Sequence, residues 1–131
     1  MLHPDQNRLV AAACAIRERA YARYSNFAVG AALLTESGQI VAGCNVENAS
    51  YGLAVCAERN AVFTAIGQGL TRFRTIAVAT AGGVTPCGAC RQVLAEFCDD
   101  LTVWIVDVDR PDHVVETSLA QLLPLRFGPE R

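Results

Sequence analysis

Charge is scarce in this sequence: only 18% of its 131 residues are Asp, Glu, Lys or Arg, against roughly 25% in an ordinary soluble domain. With 52% of residues hydrophobic, the shortfall points to surface hidden in subunit contacts, the plainer explanation being an alanine-rich core. Positive charge is not in excess, since the formal net charge is −2. That argues against a sequence-independent nucleic-acid binder, which needs clustered Lys and Arg. Also missing are an uncharged apolar run of roughly 18 residues, the length at which membrane spanning begins, and the basic-then-apolar order of an export signal in MLHPDQNRLV. The expectation is a soluble, cytoplasmic protein with a small-molecule partner, no nucleic acid and no membrane. Repeats, linkers and low-complexity tracts are absent too, so residues 1–131 read as a single domain. Such a chain can withdraw roughly two thirds of its extended surface from water.

Cysteine, in contrast, is plentiful, with six residues. In a reducing compartment these are better read as metal ligands and core fillers than as disulfides. Cys14, Cys44 and Cys98 fall in apolar periodic stretches and are expected to be small buried hydrophobes. The other three form a pattern: Cys56-Ala57-Glu58, and 31 positions after that cysteine, Pro86-Cys87-Gly88-Ala89-Cys90. Three thiolates are one short of the four that close a structural zinc site, and an open fourth position for water marks catalytic zinc. A glutamate two residues after the first ligand, itself not a ligand, completes the pattern of zinc deaminases that act on nucleobases.

Periodicity places these segments. Leu9, Ala12, Ala13, Ile16 and Ala20 recur at helical spacing and predict a helix from about Asp5 to Tyr21. Val29–Leu34 and Gln39–Val46 read as strands of a hairpin turning at Glu36-Ser37-Gly38. Helical spacing returns over Ala57–Ile66 and Gly88–Phe97, while Thr75–Thr80 and Thr102–Val108 read as strands. The alternation implies a mixed sheet covered by helices on both faces.

In this reading Cys56 begins one helix, and Cys87 and Cys90 lie in the first turn of another, introduced by Pro86. Unpaired N–H groups and the positive dipole end there favour thiolate over thiol. Three thiolates leave zinc with a formal charge of −1, which needs an offset. Arg59 and Arg91 adjoin the ligand segments and can donate to sulfur, tuning the metal from outside its ligand set; the alternative for each is an ordinary solvated helix arginine. Glu58 lies near the metal without binding it and is expected to act as general acid and base.

CAER at 56–59 and TPCGACRQ at 85–92 closely resemble the small homotetrameric zinc-dependent cytidine deaminases. The likeness extends over Tyr24–Arg59 and to LLPLRFGPE near the end, covering about residues 21–128. Ala28 and Arg23 are two small departures. The resemblance implies a three-layer α/β/α fold with a mixed five-stranded sheet, and zinc on Cys56, Cys87 and Cys90 with Glu58 shuttling protons. It also implies that Phe27 packs on the pyrimidine, that Asn45 and Glu47 hold the ribose hydroxyl, and that the Ala57 backbone helps to read the base. Asn45 and Glu47 are two apart, so in an extended segment both point the same way. By the same likeness Tyr51 and Phe127 reach a neighbouring subunit's site in a homotetramer. The implied reaction is hydrolytic deamination of cytidine, and of deoxycytidine, in pyrimidine salvage.

Three rivals weigh less. A zinc-stabilised interaction module would need a fourth cysteine at short regular spacing, which neither Cys44 nor Cys98 supplies. A thioredoxin-like role for CGAC leaves Cys56 and Glu58 unexplained. An aminonucleoside antibiotic deaminase is nearer, and the ribose-suited segment Asn45-Val46-Glu47-Asn48 favours cytidine over it.

Overall fold

Nearly continuous apolar runs in the central strands send successive side chains to opposite faces of a sheet, and each face carries its own core. The computed structural model describes residues 5–128. Its elements are α1 (Gln6–Arg17), β1 (Gly30–Thr35), β2 (Ile40–Cys44), α2 (Ala57–Gly67), β3 (Phe73–Thr80), α3 (Gly88–Phe97), β4 (Thr102–Asp107), β5 (Val114–Ser118) and α4 (Leu119–Leu122), with a 3-10 turn at Tyr51–Leu53. The strand order is β2-β1-β3-β4-β5, with β3 and β4 parallel and the other neighbours antiparallel.

Along β1, Ala31 and Leu33 join Ile76, Val78, Val103 and Ile105 on one face, where α2 and α3 pack through Ala57, Ala61, Val62, Ala65, Leu94 and Ala95. Ala32 and Leu34 join Ala77, Ala79, Trp104 and Val106 on the other, covered by Leu9, Val10 and Ala13 of α1. Helices therefore cover both faces, as the alternation of elements predicts. No helix among the described residues is long and apolar enough to cross a membrane.

Two glycines set how closely the layers approach. A Cβ at Gly43 would fall on the Ala61 backbone nitrogen and lie 2.9 Å from the Ala57 oxygen, and one at Gly30 would strike the Ala13 oxygen. Glycine at 43 thus lets α2 rest directly on β2, and glycine at 30 does the same for α1 on β1. The register puts Cys44, Gly30 and Ala79 side by side, with Val106 next to Ala79. The segments after β2, before β1 and after β3 therefore leave the sheet at the same end of the strands, and Phe27, Asn45, Glu47, Cys56 and Cys87 lie on them.

Three expectations change, for the end of the first helix, the end of the second strand and the burial of two cysteines. The first helix ends at Arg17, four residues short of Tyr21, because Tyr21 is extended: its N–H donates to the Asn45 oxygen at 3.0 Å, and its own oxygen accepts from Glu47 at 2.8 Å. The second hairpin strand stops at Cys44, and Val46 instead bridges both Tyr21 and Val55. A fifth strand, β5, is not marked by the sequence pattern. It is a half-exposed edge strand, tied to its neighbour by the Trp104 indole donating to Glu116 Oε1 at 2.8 Å. Of the three cysteines expected inside, Cys98 is buried but Cys14 and Cys44 are only partly so.

Candidate active site

Cys56 and Cys87 occupy equivalent places, each an extended residue capping a helix: Cys56 at φ −69°, ψ 155° before α2, and Cys87 at φ −67°, ψ 168° before α3. Their carbonyls accept from Asn60 and Arg91, both at 3.0 Å. Cys90 follows in the first turn of α3 and is fully buried. Cys87 is thus the cap rather than a first-turn residue, and Pro86 precedes it instead of opening the helix. The sulfurs of Cys56 and Cys87 are 3.8 Å apart and those of Cys87 and Cys90 3.4 Å apart. All three lie within 4.8 Å of one another, and no other group of three or more potential ligands is so placed among the described residues. Tetrahedral zinc with bonds of about 2.3 Å spaces its sulfurs by about 3.8 Å. The donor set fits zinc in chemistry and in spacing.

Of these sulfurs, Cys56 already favours negative charge. A hydrogen bond from the Cys90 thiol, and a second from Arg59 Nη2 at 3.3 Å, bring Cys56 down to about 5. Cys90, holding its proton against the Cys56 sulfur and buried, is pushed up instead. A cation coordinated there would displace the thiol protons. Arg59 is in turn raised, chiefly by its bond to Cys56. Glu58, only 5% exposed, lies in the first turn of α2, and burial pushes its carboxyl above the ordinary range.

Arg91 takes neither of its expected places. It contacts no sulfur and is not a freely solvated side chain: Nε donates to the Pro86 oxygen at 2.7 Å, Nη1 to the Leu122 oxygen at 2.8 Å and Nη2 to Thr85 Oγ1 at 3.0 Å. A planar guanidinium suits such a three-way tie, which binds the ligand loop to the end of α4.

Beside the sulfurs, the antiparallel Val46–Val55 bridge brings residues 45–47 alongside 54–56. An open cleft of about 370 Å³ is lined there by Tyr24, Ser25, Glu47, Asn48, Tyr51 and Ala54. Glu47 Oε1 accepts from the Tyr24 and Ser25 amides at 3.0 and 3.1 Å, and Oε2 from the Ser25 hydroxyl. Asn45 turns inward: Oδ1 accepts from Val29 N at 2.9 Å and Nδ2 donates to the Phe27 oxygen at 2.9 Å. The two side chains spaced for one sugar therefore both hold the 24–29 segment, and only Glu47 lines the cleft. The Phe27 ring is 39% exposed. Ala57, wholly buried, opens α2, where a helix leaves N–H groups without internal acceptors. Tyr51 and Phe127 are 78% and 83% exposed, with Tyr51 edge-on to Tyr24 at 6.2 Å.

Sequence reasoning passed over three groups. Ser25 joins Glu47 to the Phe27 amide, which it accepts at 3.0 Å; a serine two residues before the residue it holds is a turn signal visible in the chain. Asn60 Nδ2 donates to the Cys44 oxygen at 2.8 Å, fastening α2 to β2. Gln92 and Arg126 fix the tail, Gln92 donating to the Phe127 oxygen at 3.1 Å and Arg126 to the Cys98 and Asp99 oxygens at 2.6 and 2.7 Å. Nothing local in the sequence marks these long-range partners.

The chain is 46% identical over 129 residues to a cytidine deaminase of Sporosarcina psychrophila, covering 96% of this chain and 93% of that protein. A cytidine deaminase crystal structure from Burkholderia pseudomallei superimposes with a TM-score of 0.87 at 48% identity, over 97% of this chain and 100% of that one. Likeness to a blasticidin-S deaminase of Bacillus cereus is weaker, 29% over 76% of each chain. The family model described as the cytidine and deoxycytidylate deaminase zinc-binding region matches residues 4–106, a span that contains all three clustered cysteines and Glu58. Fold, thiolate cluster and sequence likeness thus converge, and the chain belongs to the cytidine and deoxycytidylate deaminase zinc-binding family.

Proposed function

We propose that the chain is a zinc-dependent hydrolase that converts cytidine, and deoxycytidine, to the uridine product and ammonia. The observation that carries this reading is the cluster of three sulfurs within 4.8 Å of one another, with the buried Glu58 two residues after the first. Cys56, Cys87 and Cys90 hold the ion, which when bound supplies the activation of the attacking water. Glu58 takes a proton from that water and delivers it to ring N3, so that C4 becomes electrophilic as the new C–O bond forms. The same carboxylate then takes the second proton, from the new C4 hydroxyl, and gives it to the departing amine as the C–N bond breaks and C4 becomes a carbonyl. Arg59 offsets thiolate charge through its bond to Cys56. Phe27 stacks on the base, the Ala57 amide reads it, and Asn45 and Glu47 serve the sugar side.

Exposed Tyr51 and Phe127 support a homotetramer in which each pocket borrows aromatic rings from neighbours, consistent with a chain depleted in charge. The same reading takes residues 1–131 as one domain and the setting as cytoplasmic pyrimidine salvage.

The test follows ultraviolet absorbance as the purified, zinc-analysed protein meets cytidine, deoxycytidine, cytosine and adenosine. The expected result is rapid loss of the cytidine and deoxycytidine bands, poor turnover of cytosine and none of adenosine. Zinc without turnover of either nucleoside would overturn the assignment.

A further inference from the structure

Both backbone polar groups of Phe27 are held by side chains rather than by a strand or helix. Its N–H donates to Ser25 Oγ at 3.0 Å and its oxygen accepts from Asn45 Nδ2 at 2.9 Å. Between the two held residues Asn26 adopts φ 59°, the left-handed region that asparagine tolerates better than most residues. The Ser25 hydroxyl has a second duty, donating its proton to Glu47 Oε2 while Glu47 Oε1 takes the amides of Tyr24 and Ser25. A hydroxyl has one hydrogen to give and can accept at the same time, so one atom links the carboxylate to the aromatic residue.

From this geometry we propose that Ser25 is a positioning residue, joining the Glu47 carboxylate and the Phe27 ring into one unit; the catalytic consequence rests on the function proposed above. A carboxylate offers about four acceptor positions, and three here are occupied by the turn. Glu47 is thereby fixed toward the cleft with one position left, enough for a single hydroxyl donor. The Phe27 backbone that carries the ring and the carboxylate that meets the sugar share one oxygen, so displacing either the Phe27 amide or the carboxylate breaks a bond to it. Ser25 therefore acts on base and sugar together, and chiefly on how well the substrate is bound and aimed.

The test compares the zinc-loaded full-length protein with Ser25→Ala, Ser25→Thr, Glu47→Gln and the Ser25→Ala/Glu47→Gln double variant. Ser25→Ala should raise KM for cytidine about tenfold, the scale of one lost hydrogen bond to a charged group, with a smaller change in kcat and an unchanged melting temperature. Ser25→Thr keeps the hydroxyl and should stay within about twofold of the native values. The double variant should fall well short of the product of the single effects, since Ser25 works partly through Glu47. Independently of substrate, amide hydrogen exchange at Phe27 should accelerate in Ser25→Ala and remain slow in Ser25→Thr. Unaltered kinetics in Ser25→Ala, equal damage from alanine and threonine, or Phe27 exchange that ignores the hydroxyl would each overturn the proposal. A native protein inactive on cytidine would instead overturn the function, leaving the exchange measurement to judge the link.

Discussion

Arg91 Nε donates to the backbone oxygen of Pro86 at 2.7 Å, the residue immediately before the candidate ligand Cys87. Together with its bonds to Thr85 and Leu122, this makes the loop that presents Cys87 part of a rigid joint rather than a free connection. Arg91→Ala leaves two carbonyls and a hydroxyl to find other partners, at a cost of about 1–3 kcal/mol. A fall in melting temperature and faster zinc transfer to a colorimetric chelator are expected, with Arg91→Lys restoring little because it lacks the planar fork. Native-like zinc release from Arg91→Ala would show that the loop holds its shape unaided.

Glu58→Gln should retain zinc and fold, because the residue is no part of the sulfur cluster, but lose at least about 10²-fold in kcat, the lower range for a missing general acid and base. Metal analysis beside steady-state kinetics decides this, and a zinc-loaded variant with substantial activity contradicts the proton-shuttle role.

Cys87→Ala should separate metal loss from proton transfer. Two sulfurs hold the ion poorly, and the protein loses whatever folding energy the metal contributes. Elemental analysis after dialysis should find well under one zinc per chain; one tightly held ion would remove Cys87 from the ligand set.

Asp107 carries a pH prediction. Its carboxylate accepts from the Gly82 and Asp109 amides at 3.0 and 3.1 Å, and these bonds, that to Asp109 foremost, hold its pKa below the ordinary 3.8. A carboxyl with a lowered folded-state pKa stabilises the fold above its unfolded value and stops doing so as pH falls through the folded value. The stability gap between the native chain and Asp107→Asn should be full above about pH 4 and close at lower pH. Denaturant midpoints of both proteins across pH 2.5–6, a window set by the carboxylate range, measure it. A gap that widens as pH falls reverses the sign and rejects the account.

Phe127→Ala tests assembly more cleanly than cutting the tail, because removing residues after Leu125 would also delete Arg126 and its bonds to the Cys98 and Asp99 oxygens. The ring is 83% exposed, so its loss should spare the single chain's fold. If it forms a neighbour's pocket wall, KM should rise by the equivalent of about 2–3 kcal/mol while zinc stays. Light scattering identifies the assembly, and a fully active monomer ends the shared-site idea.

Some of this was legible because the causes are local. The thiolates sit at two helix starts, and helix starts are written in nearby residues, so Cys56-Ala57-Glu58 and Pro86–Cys90 could be read without a fold. The helix-covered sheet was readable from apolar runs such as Val29–Leu34 and Thr75–Thr80 alternating with helical spacing. Tyr21 was misread as helical because its extended state is imposed by Asn45 and Glu47, more than 20 residues away. Val114–Ser118 escaped because an edge strand with one pairing neighbour needs no continuous apolar run. Arg91 was unreadable for a similar reason, since Leu122 becomes its partner only after the chain has crossed β4 and β5.

The missing side chain at Gly43 has a mechanical consequence. Ala57 and Ala61 of α2 rest on bare strand backbone there, so the rod carrying Cys56 and Glu58 is seated by hard contact, with no compressible side chain beneath it. Even one methyl at 43 would act as a wedge, lifting the rod away from the sheet and from the helix that brings the other two sulfurs. The gauge of the metal site is thus set on the far side of α2, by a residue that touches neither metal nor substrate.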